Sequence, residues 1–176
     1  MLFRGLSLAL EPGDVLHIEG ANGIGKTSLL RILAGLLPPF AGTVEHKGAI
    51  GLMDDRPALD PDLPLGKALA FWEKLDGCRD AGRAVEVLQL APLMDVPVRY
   101  LSTGQRKRAA LARLLNRNCP IWLLDEPLNG LDAQAQASFE ALVALHCGGG
   151  GLAIVASHQA MALPSPRVIE LSEFAA

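Results

Sequence analysis

Residues 20–27 read Gly-Ala-Asn-Gly-Ile-Gly-Lys-Thr, directly after the apolar run Val15 to Glu19 and directly before a helical pattern. Few backbones satisfy that order. The spacing GxxxxGK[ST] lets successive backbone N–H groups turn inward and wrap phosphate oxygens, and glycine serves where the backbone must come close. Lys26 would reach the outer phosphates and Thr27 would offer its hydroxyl to Mg²⁺. The helix that follows would present the positive end of its dipole to the anion. Gly20, Ala21, Asn22, Gly23, Ile24, Gly25, Lys26, Thr27 and Ser28 are therefore the candidate nucleotide-binding residues. Leu29, Ile32, Leu33 and Leu36 continue at helical spacing until Pro38-Pro39 ends the helix.

Around this unit, strand and helix signals alternate, which predicts an α/β chain built on a mostly parallel sheet. Leu6, Leu8 and Leu10 alternate with Ser7 and Ala9, the period of a strand with one covered face, before the turn Glu11-Pro12-Gly13-Asp14. Strand signals return at Ile121 to Leu124, Leu152 to Ala156 and Val168 to Leu171, with a helix near Ala133 to His146. Between them, roughly Asp55 to Asn118, apolar residues such as Leu65, Leu69, Trp72, Val85 and Leu88 space out as short helices broken by Gly77, Gly82 and Pro92. No internal repeat or linker interrupts the chain, so the expectation is one domain over residues 1–176. Residues 1–54 and 119–176 would form its core, and residues 55–118 a helical subdomain.

Two further stretches carry chemistry. Ile121-Trp122-Leu123-Leu124-Asp125-Glu126 is an apolar strand ending in two carboxylates, at the edge where a parallel strand meets a phosphate loop. Asp125 would hold Mg²⁺ through water. Glu126, facing the other way, would polarise the water that attacks the terminal phosphate. Leu101-Ser102-Thr103-Gly104-Gln105 opens another helix, with Ser102 placed as its N-cap. The basic first turn, Arg106-Lys107-Arg108, opposes the helix dipole and predicts a nearby anion or acidic partner.

A phosphate loop, an LSxGQ-like signature and an apolar strand ending in Asp-Glu-Pro, in this order, resemble the ATP-binding subunits of ABC transporters over essentially the whole chain. The resemblance implies a P-loop NTPase of ABC type and a homodimer in the ATP-bound state. Two ATP molecules would lie at its interface, each between one subunit's phosphate loop and the other's signature. It would place Ser102, Gly104 and Gln105 on the partner's nucleotide. Asn129-Gly130-Leu131-Asp132 looks like the D-loop and Ser157-His158 like the switch histidine, so Asp132 and His158 join the site. His158 would contact the γ-phosphate. At the usual Mg²⁺-sensing glutamine stands Asp55, a weak metal candidate, because Asp54-Asp55-Arg56-Pro57 reads equally well as a turn. Phe3 lies too close to the first strand to match the family's adenine-stacking aromatic, and Thr43 to Ile50 is shorter than the family's antiparallel β portion.

Within the family, Gly20 to Leu37, Asp95 to Arg113 and Trp122 to Asp132 are most similar to the ATPases of the haem exporters of cytochrome c maturation. That similarity implies an ATPase coupled to transport, docked on integral membrane subunits at the cytoplasmic face of the bacterial inner membrane. Another ABC exporter, or a nucleotide-binding scaffold without turnover, is the alternative.

Composition narrows these classes further. A formal charge of −3 gives no general attraction to nucleic acid. Cys78, Cys119 and Cys147 are scattered and odd in number, unlike a disulfide framework. The longest apolar runs fall far short of the roughly 18 to 20 residues that span a bilayer, so membrane action would require a partner. Cys119-Pro120 reads as a helix stop rather than a haem motif, and Trp72 and Trp122 as core residues.

Overall fold

The computed structural model describes residues 2–54, 56–78 and 81–175. Five strands, β1 (Val15–Glu19), β2 (Ile50–Met53), β3 (Ile121–Asp125), β4 (Leu152–Ala156) and β5 (Arg167–Glu170), form one sheet in the order β2-β3-β4-β1-β5. Every neighbouring pair is parallel. The connections are the helices α1 (Lys26–Leu33), α2 (Leu65–Asp76), α3 (Ala81–Val87), α4 (Thr103–Arg117) and α5 (Ala133–Gly148).

Alternation along the strands sorts side chains to two faces, as a period of two requires. Val15, Trp122, Leu124, Ala153 and Val155 face one buried cluster, which α2, α4 and α5 complete with Leu69, Leu111 and Phe139 among others. Leu16, Ile18, Leu123 and Ile154 face the opposite cluster, closed by Leu29 and Leu30 of α1. A sheet covered on both faces needs continuous apolar strands, and β3 is buried at all five positions. Burial of each such leucine contributes about 1.5–3 kcal/mol.

Three local expectations change. The alternating segment Leu6 to Leu10 forms no ladder; its leucines are half-buried against the α1-side cluster, and Phe3 makes only an isolated bridge to Ala175. An extended segment becomes a strand only when a neighbour takes its backbone groups. Residues 35–49, the place for such a neighbour, are exposed throughout and hold no strand. The antiparallel portion is thus shorter still than expected, and antiparallel pairing among the described residues amounts to two isolated bridges. Helix α1 ends at Leu33, before the predicted Pro38-Pro39, because the chain turns at Gly35 with φ 73°. Finally, β2 arises where no clear strand signal stood, since four residues containing Gly51 are too short to show a period.

Candidate functional site

β3, β4 and β1 are parallel neighbours, so their carboxyl ends lie side by side at the edge where open α/β sheets bind ligands. β1 delivers the glycine loop. Gly25 caps α1 at φ 117°, a left-handed conformation, and a Cβ there would lie 3.2 Å from Leu2 and 3.4 Å from the Phe3 ring. Only glycine fits both restrictions. Phe3 therefore packs behind the loop. Lys26 is 5 % exposed, and its Nζ donates to the carbonyls of Gly20 at 2.6 Å and Ala21 at 3.3 Å while standing 3.2 Å from Glu126 Oε1.

β3 delivers the two acids to different partners. Thr27 Oγ1 donates to Asp125 Oδ2 at 2.7 Å, a bond across 98 residues of sequence. This pair of hard oxygens beside a phosphate loop suits Mg²⁺, which prefers one or two protein oxygens, substrate phosphates and water to an all-protein cage. Glu126 follows with φ 44°, left-handed for a non-glycine residue, and its N–H donates to Ala156 O at 2.8 Å. The turn aims its carboxylate away from Asp125. Oε2 lies 2.8 Å from His158 Nδ1, which β4 supplies just beyond the buried Ser157. Lys26, Thr27, Asp125, Glu126 and His158 thus form one connected constellation, with Glu126 bridging the lysine and the histidine.

The signature stands elsewhere. Ser102 caps α4: its Oγ accepts from Gln105 N–H at 3.2 Å, and Gln105 Oε1 accepts from Ser102 N–H at 2.8 Å. This reciprocal arrangement satisfies two of the donors that every helix start leaves open. Asp132 caps α5 from one side only, accepting from Ala135 N–H at 2.8 Å. Ser102, Gly104, Gln105 and Asp132 line a cavity of about 250 Å³ between α4 and α5. Gly104 permits that approach, since a Cβ on it would stand 2.6 Å from Gly130 O.

In the basic first turn of α4, Lys107 and Arg108 donate to backbone carbonyls. Lys107, 6 % exposed, donates to Glu126 O at 2.8 Å and lies 3.5 Å from Asp125 O, while Arg108 donates to Leu88 O at 3.3 Å. The opposed dipole was a readable signal, but neither these partners nor the bond from Gln159 Nε2 to Asn129 Oδ1 at 3.1 Å could be read from spacing. Asp54 accepts from Arg56 N–H at 2.9 Å, as in a turn, and Asp55 lies outside the described residues. Trp122 is buried and stacked on His146 at 3.8 Å, and Trp72 lies under the Arg113 guanidinium at 3.6 Å. Cys119 is buried, and burial raises its thiol pKa. No described helix is long and apolar enough to cross a membrane.

Comparison with known proteins places this geometry in context. The ABC transporter family profile matches residues 3–129. The cytochrome c biogenesis ATP-binding export protein CcmA of Novosphingobium aromaticivorans is 55 % identical over 174 residues, covering 99 % of this chain and 90 % of that protein. Its counterpart of the same name in Sphingopyxis alaskensis is 49 % identical over 166 residues, covering 93 % of this chain and 86 % of that protein. Among solved structures, an ABC transporter ATP-binding protein from Pyrococcus furiosus superposes with a TM-score of 0.84 over 99 % of this chain and 92 % of its own, at 22 % identity, a likeness of fold.

Proposed function

The chain belongs to the ABC transporter family, and from that premise we propose that it is the ATP-hydrolysing subunit of a haem exporter in cytochrome c biogenesis. The carrying observation is the Lys26–Glu126–His158 constellation at the mouth of a glycine loop, joined to Thr27 and Asp125. The nearly full-length matches, 55 % and 49 % identical, to proteins named for cytochrome c biogenesis export support the haem pathway specifically.

ATP is the substrate. Residues 20–28 hold its phosphates through backbone N–H groups, and Lys26 exchanges its contact with Glu126 for the outer phosphates. Thr27 and Asp125 would hold Mg²⁺, which would supply charge neutralisation at the phosphate oxygens. The Glu126 carboxylate accepts a proton from water as the water oxygen bonds to the γ-phosphorus. The bond from that phosphorus to the bridging oxygen breaks, and its electron pair leaves with ADP. His158, on Oε2, keeps the carboxylate aimed and can turn its ring toward the departing phosphate.

Ser102, Gly104, Gln105 and Asp132 lie apart from this constellation, which supports their acting on the nucleotide of a second subunit. The reading therefore includes a homodimer in the ATP-bound state. It also includes docking on integral membrane subunits at the cytoplasmic face of the inner membrane, with residues 1–176 acting as one ATPase domain. The test is phosphate release by membranes carrying the full complex, compared with Lys26→Ala, together with capture of partners on tagged protein. Lys26-dependent turnover and recovery of cytochrome c biogenesis membrane proteins are expected. Recovery of another permease would discard the haem pathway, and no Lys26-dependent turnover would leave a nucleotide-binding scaffold.

A further inference from the structure

Glu126 has to hold an unusual backbone conformation. Its φ of 44° lies where residues with a Cβ are disfavoured, yet that conformation is what turns its carboxylate from the Asp125 side toward Lys26 and His158. Such a turn persists only if its surroundings hold it. On the N–H side, Ala156 O of β4 accepts from Glu126 at 2.8 Å. On the carbonyl side, the partner comes from the helical region. The Lys107 ammonium donates to Glu126 O at 2.8 Å and reaches Asp125 O at 3.5 Å, so one cation spans the two carbonyls on either side of the bend.

The location of that lysine gives the contact its meaning. Lys107 lies on α4, five residues after Ser102, and at 6 % exposure it is one of few charged side chains drawn into the interior. Burying an ammonium is costly unless its hydrogen bonds are met, so placing it under a bend in the chain constrains that bend strongly. The same first turn of α4 is pressed against the loop after β3, where Gly104 meets Gly130 O. The start of α4 and the Glu126 turn are thereby tied at two points.

We propose that Lys107 is a positioning residue: it clamps the left-handed turn at Glu126 and so ties the aim of the catalytic carboxylate to the helix that carries Ser102 and Gln105. This rests on Glu126 acting as the base in ATP hydrolysis. In a dimer, the helix that touches one nucleotide would then adjust the carboxylate acting on the other.

The experiment compares Lys107→Met, which keeps the side-chain length and removes the donor, with Lys107→Arg, which keeps a cation. Both are measured in the full complex alongside Glu126→Gln and the Lys107→Met/Glu126→Gln double variant. Misplacing a catalytic group by about 1 Å costs on the order of 100-fold, so Lys107→Met is expected to lower kcat by about 10- to 100-fold. Its KM and ATP Kd should change by less than about twofold, because the contact serves the reacting geometry rather than nucleotide binding. Lys107→Arg should recover most of kcat, and the double variant should be no slower than Glu126→Gln alone.

Wild-type kcat in Lys107→Met, or losses that add in the double variant, would overturn the proposal. So would Lys107→Met failing to fold while Lys107→Arg folds, or both failing, since the lysine would then belong to the fold. A wild-type complex without Lys26-dependent turnover would defeat the ATPase reading itself, a result distinguishable from all of these.

Discussion

Replacing Glu126 by glutamine keeps shape and volume while removing the carboxylate that faces both Lys26 and His158. Its Oε2 meets His158 at 2.8 Å and its Oε1 meets Lys26 at 3.2 Å, in a side chain only 13 % exposed. As the proposed base, the carboxylate would supply about 10²–10⁴-fold, or roughly 3–5 kcal/mol of barrier, and an amide cannot accept the proton. As a partner of Lys26, the same carboxylate competes with ATP for the ammonium. Its removal frees about 1 kcal/mol of that competition, which corresponds to about fivefold tighter ATP binding. Glu126→Gln should therefore hydrolyse at least about 100-fold more slowly yet bind ATP more tightly. Single-turnover phosphate release and equilibrium binding of ATP measure the two effects separately. Size-exclusion chromatography with ATP should show the variant held as a dimer. Normal hydrolysis would remove Glu126 from the role of base. Slow hydrolysis with weakened ATP binding would show that the carboxylate supports Lys26 instead of competing for it.

Two further outcomes follow from the geometry. Ser102→Ala removes one half of the α4 capping box and should lower stability by about 1 kcal/mol, read from chemical unfolding, with Ser102→Asp restoring most of it. Stability should also fall with acid before the carboxylates titrate. Burial lowers the pKa of both His17 and His146 from the usual 6.5, against opposing contributions from Glu19 and Glu126 for His17 and from the carbonyls of Leu152 and Pro120 for His146. Both are depressed in the folded state, so below 6.5 the unfolded chain takes up protons that the native protein refuses. Their contribution is fully present above 6.5 and declines as pH falls through that value, by up to about 1.4 kcal/mol per pH unit for each histidine. Urea unfolding between about pH 7.5 and about pH 5.5 should show this slope, and His17→Gln and His146→Gln should each flatten it; an unchanged slope would show that neither histidine is held neutral by burial.

Much of the architecture was legible because the strongest signals are local. The GxxxxGK[ST] spacing, the apolar runs of β1, β3 and β4, and the helix starts at Ser102 and Asp132 depend on backbone chemistry within a few residues. They stand in the fold where their patterns put them. The failures share a physical reason too. Leu6 to Leu10 has the period of a strand, but a ladder needs hydrogen-bond partners from another segment, and residues 35–49 supply none. Ile50–Met53 has almost no period, yet β3 draws it into the sheet.

The sequence alone, then, marked the candidate residues for phosphate, metal and proton chemistry, because those roles need particular side chains at short spacing. It also carried the family resemblance, through motifs in a set order. Only the tertiary structure decided how they are connected. Thr27 meets Asp125 across 98 residues, Glu126 bridges Lys26 and His158, and Lys107 reaches from the helical region to the carbonyl of the turn that aims Glu126. Such contacts depend on the order of strands in the sheet and on where a helix comes to rest against it. Neither is written in the spacing of any one segment.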